Sequence, residues 1–119
     1  MLLNTLTLRI FGPILIATGA LGFVLPPSAG LMSGAPAYNA FHLAFGLLGT
    51  ALAFGVGDRA SRAFNAGFGA CDLYQAVASP LGWWPAAMFQ WRTADDVVHW
   101  ILGVALVGIA WRGRGPAAP

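Results

Sequence analysis

The chain has 119 residues, of which 58% are hydrophobic and 8% charged, and it carries a net charge of +2. A charged fraction so far below the roughly 25% of soluble domains argues for a bilayer as its solvent. The basic residues are six scattered arginines, which excludes a basic nucleic-acid surface, and the single cysteine, Cys71, excludes an internal disulfide or a cysteine-based zinc cluster.

Arg9 precedes an apolar run that ends in small residues near Ser28, Ala29 and Gly30, the outline of a secretory signal. We read it instead as a retained spanning helix. Apolar segments recur over 6–25, 40–56, 63–78 and 97–111, each near the lower limit of roughly 17 to 25 residues for a span. Pro13 falls in the first turns if the first helix starts near Arg9, where its missing donor costs little. Pro26 and Pro27 end the first segment, Gly57 and Asp58 the second, and Pro80 follows the third.

Arg9, the Arg59 and Arg62 turn, and the Arg112 and Arg114 tail share one side of a four-span arrangement, leaving Arg92 on the other. The positive-inside rule then places both termini in the cytoplasm of a bacterial inner membrane, with the multi-pass chain sending its two long loops, 26–39 and 79–96, outward. Trp83, Trp84, Trp91, Trp100 and Trp111 are expected to form an interfacial aromatic belt.

The halves resemble each other. A shift of 53 residues places Arg9 on Arg62 and Pro27 on Pro80, and a shift of 57 places His42 on His99, Gly46 on Gly103 and Ala53 on Ala110. The expected fold is therefore all-α: a four-transmembrane-helix bundle made of two tandem helical hairpins in a parallel pseudo-twofold repeat, a single integral membrane domain over 1–119 with halves 6–57 and 59–112. Such a repeat differs from the inverted repeats of many transporters.

Asn39 and Asp96 sit where helix N-caps are expected, which puts His42 and His99 at the third helical position, where a capping-box side chain reaches back. His42, Gly46, Gly49 and Ala53 share a helix face, as do His99, Gly103 and Ala110. Two uses fit such faces. Gly46, Gly49, Ala53, Gly57 and Gly103 can let helices approach closely, or His42 and His99 can be axial ligands of a haem b or (bacterio)chlorophyll lying against a glycine groove. No cofactor follows from the sequence as certain. Two histidines are too few for a closed zinc site.

The stretches with Asn39, His42 and Gly46, then Asp95, Asp96, His99 and Gly103, resemble a family of small bacterial four-span membrane proteins. In that family the second and fourth helices open with an N-x-x-H or D-N-x-x-H pattern followed by glycine. This chain has Asp96 where the second motif more often has Asn, and a tryptophan-rich loop before it. The resemblance implies a four-helix membrane fold and no particular function.

The third segment, "AFNAGFGACDLYQAVA", carries Asp72 about halfway along, and an ionisable group inside a membrane costs at least roughly 2.5 to 3.5 kcal/mol on insertion scales. Asp72 is thus a candidate intramembrane polar site, with Thr18 at similar depth in the repeat and Gln75 one turn outward. It serves either as a polar pin between helices or as one station of a proton or ion path toward His42 and His99. Cys71 reads as a small packing residue.

No nucleophile, base and orienting group can be assembled, so a catalyst is the least favoured class. The leading expectation is a non-catalytic accessory subunit of a larger inner-membrane assembly, photosynthetic or respiratory, whose partners are the lipid bilayer and larger membrane proteins or a homo-oligomer, with no nucleic acid. The alternatives are a tetrapyrrole-binding protein using His42 and His99, and an oligomeric proton or ion conductor centred on Asp72.

Overall fold

The computed structural model describes residues 2–113; the Arg114 used in the sidedness argument lies outside them. The chain is all-α. Its elements are α1 (Leu3–Val24), a short 3₁₀ turn (Pro27–Ala29), α2 (Pro36–Gly55), α3 (Asp58–Leu81), α4 (Ala86–Phe89) and α5 (Thr93–Arg112).

The expected bundle of four apolar spans built as two tandem hairpins is corrected by this architecture. Among the described residues there are five α-helices, and three of them, α1, α2 and α5, are long and apolar enough to cross a membrane. The longest helix, α3, is not among them, because Arg59, Arg62, Asn65, Asp72 and Gln75 lower its mean hydropathy. Its polar side chains turn inward: Ser61, Asn65, Asp72 and Gln75 are buried, while Ala63, Ala66, Gly67, Ala70 and Val77 are exposed. The outward faces of α1, α2 and α5 carry Ile10, Ile14, Leu47, Phe54, Ile101 and Val104, all exposed. Apolar outside and polar inside is the arrangement expected of helices that face lipid.

Every long helix begins about a turn earlier than its apolar run, because polar first turns are hidden by averaging over hydropathy. Pro36 stands in the first turn of α2, where a missing N–H removes nothing, so the helix starts there and Asn39 is interior. Asp96 is likewise interior to α5, whose start is capped by Asp95: its Oδ2 accepts the Arg92 N–H at 2.8 Å. The N-cap assignments to Asn39 and Asp96, and the capping-box position of the two histidines, are therefore corrected. Pro13 lies well inside α1, which starts at Leu3, so it deprives the Arg9 carbonyl of its helical donor. Pro80 is within the last turn of α3, which ends instead at Gly82, a left-handed residue (φ +69°) whose N–H closes on Ala78 and Ser79.

α1 packs chiefly on α2, and α3 chiefly on α5. Glycine makes both approaches close. A side chain on Gly46 would meet the Ile16 amide nitrogen at 2.5 Å and the Gly12 carbonyl at 3.0 Å; one on Gly103 would meet Leu73 at 2.7 Å and the Gly69 carbonyl at 3.0 Å. Gly12 and Gly69, Ile16 and Leu73, Gly46 and Gly103 are each 57 residues apart. A shift of 57 thus relates these glycine contacts, one helical turn from the expected 53, while Arg9 and Arg62, which bond the carbonyls of Ala53 and Ala110, keep the shift of 53.

One end of the molecule gathers the arginines. Asn4 Nδ2 donates to the Gly113 carbonyl, Asn65 Nδ2 to Asn4 Oδ1 at 3.0 Å, and Asp58 Oδ1 accepts from both the N–H and the hydroxyl of Thr5. Arg9 Nε donates to the Ala53 carbonyl and Arg62 Nε to that of Ala110, satisfying helix C-termini as cations should. At the opposite end the loops meet: Ser33 Oγ donates to the Phe89 carbonyl, and Arg92 Nη1 to that of Gly30. Between them lies an apolar layer of Leu8, Phe11, Leu15, Ala53, Phe64, Phe68 and Leu106.

Candidate functional site

The loop end of the helix bundle encloses a polar chamber. Tyr38 and His42 enter it from the first two turns of α2, Asp95 and His99 from the first two turns of α5, and Asp72 and Gln75 from α3; all six are buried. The Tyr38 phenol lies beside the Asp95 carboxyl and within electrostatic reach of Asp72, while Asp95 acts on both histidines and the histidines act on each other. Tyr38 and Asp95 are 57 residues apart, as are His42 and His99, so the relation that sets the glycine contacts also brings these side chains face to face. Helix geometry explains the rest: Phe68, Asp72 and Gln75 follow one another at three- and four-residue spacing and share the buried face of α3.

His42 Nδ1 lies 2.8 Å from the Tyr38 carbonyl. Since a carbonyl can only accept, Nδ1 carries the proton of the neutral ring and Nε2 keeps its lone pair. The Tyr38 ring packs against this imidazole at 4.2 Å and the Phe41 ring at 5.7 Å; Trp91 packs edge-on to His99 at 6.2 Å. Several polar atoms in and around the chamber are buried with no aligned hydrogen-bond partner: Tyr38 Oη, Asp72 Oδ2, Gln75 Oε1, Asp95 Oδ1, Asp96 Oδ1, His99 Nδ1 and Trp91 Nε1. Buried polar groups left without a partner cost about 1 to 3 kcal/mol each, so this concentration makes the chamber the candidate site. A cleft of about 190 Å³ under the loop end reaches Tyr38 and Asn39 past Gly22, Pro26 and Met32.

The sequence-derived site residues separate into those the fold brings together and those it does not. His42, His99, Asp72 and Gln75 share the chamber. Thr18 does not: its hydroxyl donates to the Ile14 carbonyl of its own helix, and the residue 57 positions before Asp72 is Leu15, so the one-turn error in the shift misplaced it. Gly46, Gly49, Ala53 and Gly103 line helix contacts; Gly49 faces Leu8 and Phe64 at 3.0 Å. Gly57 is no part of that ladder. A side chain there would meet nothing within 4 Å, and the residue serves the turn into α3 through a φ of +132°. Trp83, Trp84, Trp100 and Trp111 are exposed, whereas Trp91 is half-buried against Phe89 and His99 and belongs to the chamber wall.

Among the described residues no group of three His, Cys, Asp or Glu is gathered closely enough to hold a metal ion. Nor do the histidines overlook an open groove. The glycine faces beside them are filled by the backbone of α1 and by Leu73, and aromatic rings crowd the imidazoles, so a tetrapyrrole plane does not fit the packing. Ser33, Ser61 and Thr5 hydroxyls are committed to other partners, and the Cys71 thiol accepts from Gln75 Nε2 at 3.2 Å.

Tyr38 and the Tyr38–Asp95 juxtaposition were missed by reading the sequence. The shift of 57 that pairs His42 with His99 also aligns these two positions, and the signal was hidden because both lie in first turns, before the apolar runs, of helices that start at Pro36 and Thr93. Comparison of the chain with protein-family models, with curated proteins and with solved structures finds no match, so the resemblance to the four-span family rests on the motif residues alone.

Proposed function

We propose that this is a non-catalytic integral membrane protein that binds and releases protons at the chamber of Tyr38, His42, Asp72, Asp95 and His99. The observation that carries the reading is the convergence of five titratable side chains from three helices into one buried space, with four of their polar atoms unpartnered. Buried titratable groups gathered in one place are candidates for a functional site. Two carboxyls, a phenol and two imidazoles line this one buried space. His42 Nε2 and Asp95 Oδ1 can accept a proton, and Tyr38 Oη can pass one between them.

Exchange runs to the loop end. The cleft beside Tyr38 and Asn39 opens there, whereas the Leu8, Phe11, Phe64 and Phe68 layer separates the chamber from the arginine end. That layer weighs against conduction through the single chain, and the apolar outer faces suit contact with lipid. By the positive-inside rule the arginine end faces the cytoplasm of a bacterial inner membrane and the chamber opens outward.

The test is infrared difference spectroscopy between acid and alkaline buffer on the protein in lipid nanodiscs. A carboxylic C=O band that appears with pH, shifts in D₂O and disappears in Asp72→Asn is the expected result. Asp58→Asn, which alters the arginine end, should leave the band intact. A spectrum without a titrating carboxyl band, or one unchanged by Asp72→Asn, overturns the proposal.

A further inference from the structure

The arginine end holds two guanidinium groups in matching positions. Arg9 Nε donates to the Ala53 carbonyl at 3.1 Å and Arg62 Nε to the Ala110 carbonyl at 2.7 Å. Ala53 and Ala110 lie in the last turns of α2 and α5, among the carbonyls that a helix end leaves without an intrahelical donor. Each bond orients a half-buried guanidinium and leaves both of its Nη groups unpartnered among the described residues. The Arg9 guanidinium also sits 4.6 Å over the centre of the Phe54 ring, which holds its plane. Trp111 stands 57 positions after Phe54, and both rings are exposed.

The charge around this pair is one-sided. Arg59 in the first turn of α3 and Arg112 in the last turn of α5 are exposed at the same end, where the described carboxylate is Asp58, engaged by Thr5. Helix dipoles do not offset the excess, because α1 and α3 begin at that end while α2 and α5 finish there. Beside Arg9 the exposed side chains of Leu6, Ile10 and Ile14 run along one face of α1, from the guanidinium into the apolar zone. An occupant that fits must accept hydrogen bonds from a planar fork, carry net negative charge and lay a hydrocarbon body on the outer face. Free phosphate meets the first two conditions and not the third.

We propose that Arg9 and Arg62 each bind the phosphate of an anionic phospholipid, the Nη groups donating to its oxygens and the acyl chains lying along the adjacent outer helix face. A zwitterionic headgroup would bring its ammonium into the field of Arg59 and Arg112, which sets the preference. The inference is independent of the proton chamber, which lies at the opposite end and whose test reads protonation.

Native mass spectrometry of the protein in mild detergent, titrated with phosphatidylglycerol or phosphatidylcholine of the same acyl chains, counts bound lipids and gives their affinities. Two phosphatidylglycerol molecules should bind at least about fivefold tighter than phosphatidylcholine, the scale of one arginine near an anionic surface. Arg9→Gln with Arg62→Gln should abolish both tight sites. Arg59→Gln with Arg112→Gln, which removes the same charge, should keep them with less than about a threefold loss, because these side chains act through a screened field and not through contact. Arg9→Lys with Arg62→Lys keeps the charge and a donor for each helix-end carbonyl but lacks the fork, so affinity should fall by about threefold or more. Equal affinity for the two lipids, equal losses in the two glutamine pairs, undiminished binding in either pair at Arg9 and Arg62, or displacement of the lipid by equimolar inorganic phosphate would each overturn the proposal.

Discussion

Replacing Gly46 with alanine tests the helix contact that positions His42. The added carbon would sit 2.5 Å from the Ile16 amide nitrogen, 2.8 Å from Ile16 Cγ1 and 3.0 Å from the Gly12 carbonyl, two of the three being backbone atoms that no rotamer change can move. Ordinary contact begins near 3.4 Å, so α1 must retreat by about 0.9 Å, and a gap of that size forfeits a quarter to a half of each dispersion contact along the interface. We expect a loss of about 2 to 3 kcal/mol, the upper range for overpacking. Gly103→Ala is the comparison. Its carbon meets the Leu73 side chain at 2.7 Å, which can swing away, and the Gly69 carbonyl at 3.0 Å, so about 1 kcal/mol is expected. Gly108→Ala, with open space around it, should be neutral or stabilising by up to about 1 kcal/mol through helix propensity. The assay is reversible unfolding in mixed bicelles followed by circular dichroism. A Gly46→Ala cost no greater than that of Gly103→Ala would refute the argument that backbone contact, and not glycine as such, sets the penalty.

Other outcomes follow from the same geometry. A double-mutant cycle with Asn4→Ala and Asn65→Ala should give a coupling of about 0.6 to 1.7 kcal/mol, the range for interhelical hydrogen bonds in membranes, because Asn65 Nδ2 reaches Asn4 Oδ1 at 3.0 Å; additivity within error would refute the pairing. Asp58→Asn should destabilise by roughly 1 to 2 kcal/mol, since Oδ1 accepts from both the N–H and the hydroxyl of Thr5, and a Thr5→Val background should remove part of that cost. Protein purified from its native membrane in mild detergent should show no Soret or chlorophyll band of its own. A band abolished by His42→Gln and His99→Gln together would show that the filled glycine faces open to a pigment.

The sequence by itself determined the solvent, the helical class and the inward placement of the polar residues. Composition alone argues for a bilayer, and there Asp72 must be turned from lipid because the cost of exposing it is several kcal/mol. The histidine spacing and the glycine faces were also legible, since both are local helix geometry. What hydropathy could not decide was the standing of α3, whose inward polar face pulls its average below that of a span although its outer face is alanine, glycine and valine. Helix starts were misread for a related reason: Pro36 and Thr93 begin helices through cap geometry, which apolar periodicity does not encode. The chamber itself belongs to the tertiary structure. Tyr38 lies beside Asp95 because tertiary packing brings the first turns of α2 and α5 together, while the close contacts at Gly46 and Gly103 seat α2 on α1 and α5 on α3. A shift wrong by one turn moves a side chain by about 5.4 Å along the helix, enough to exchange Leu15 for Gly19 as the counterpart of Asp72.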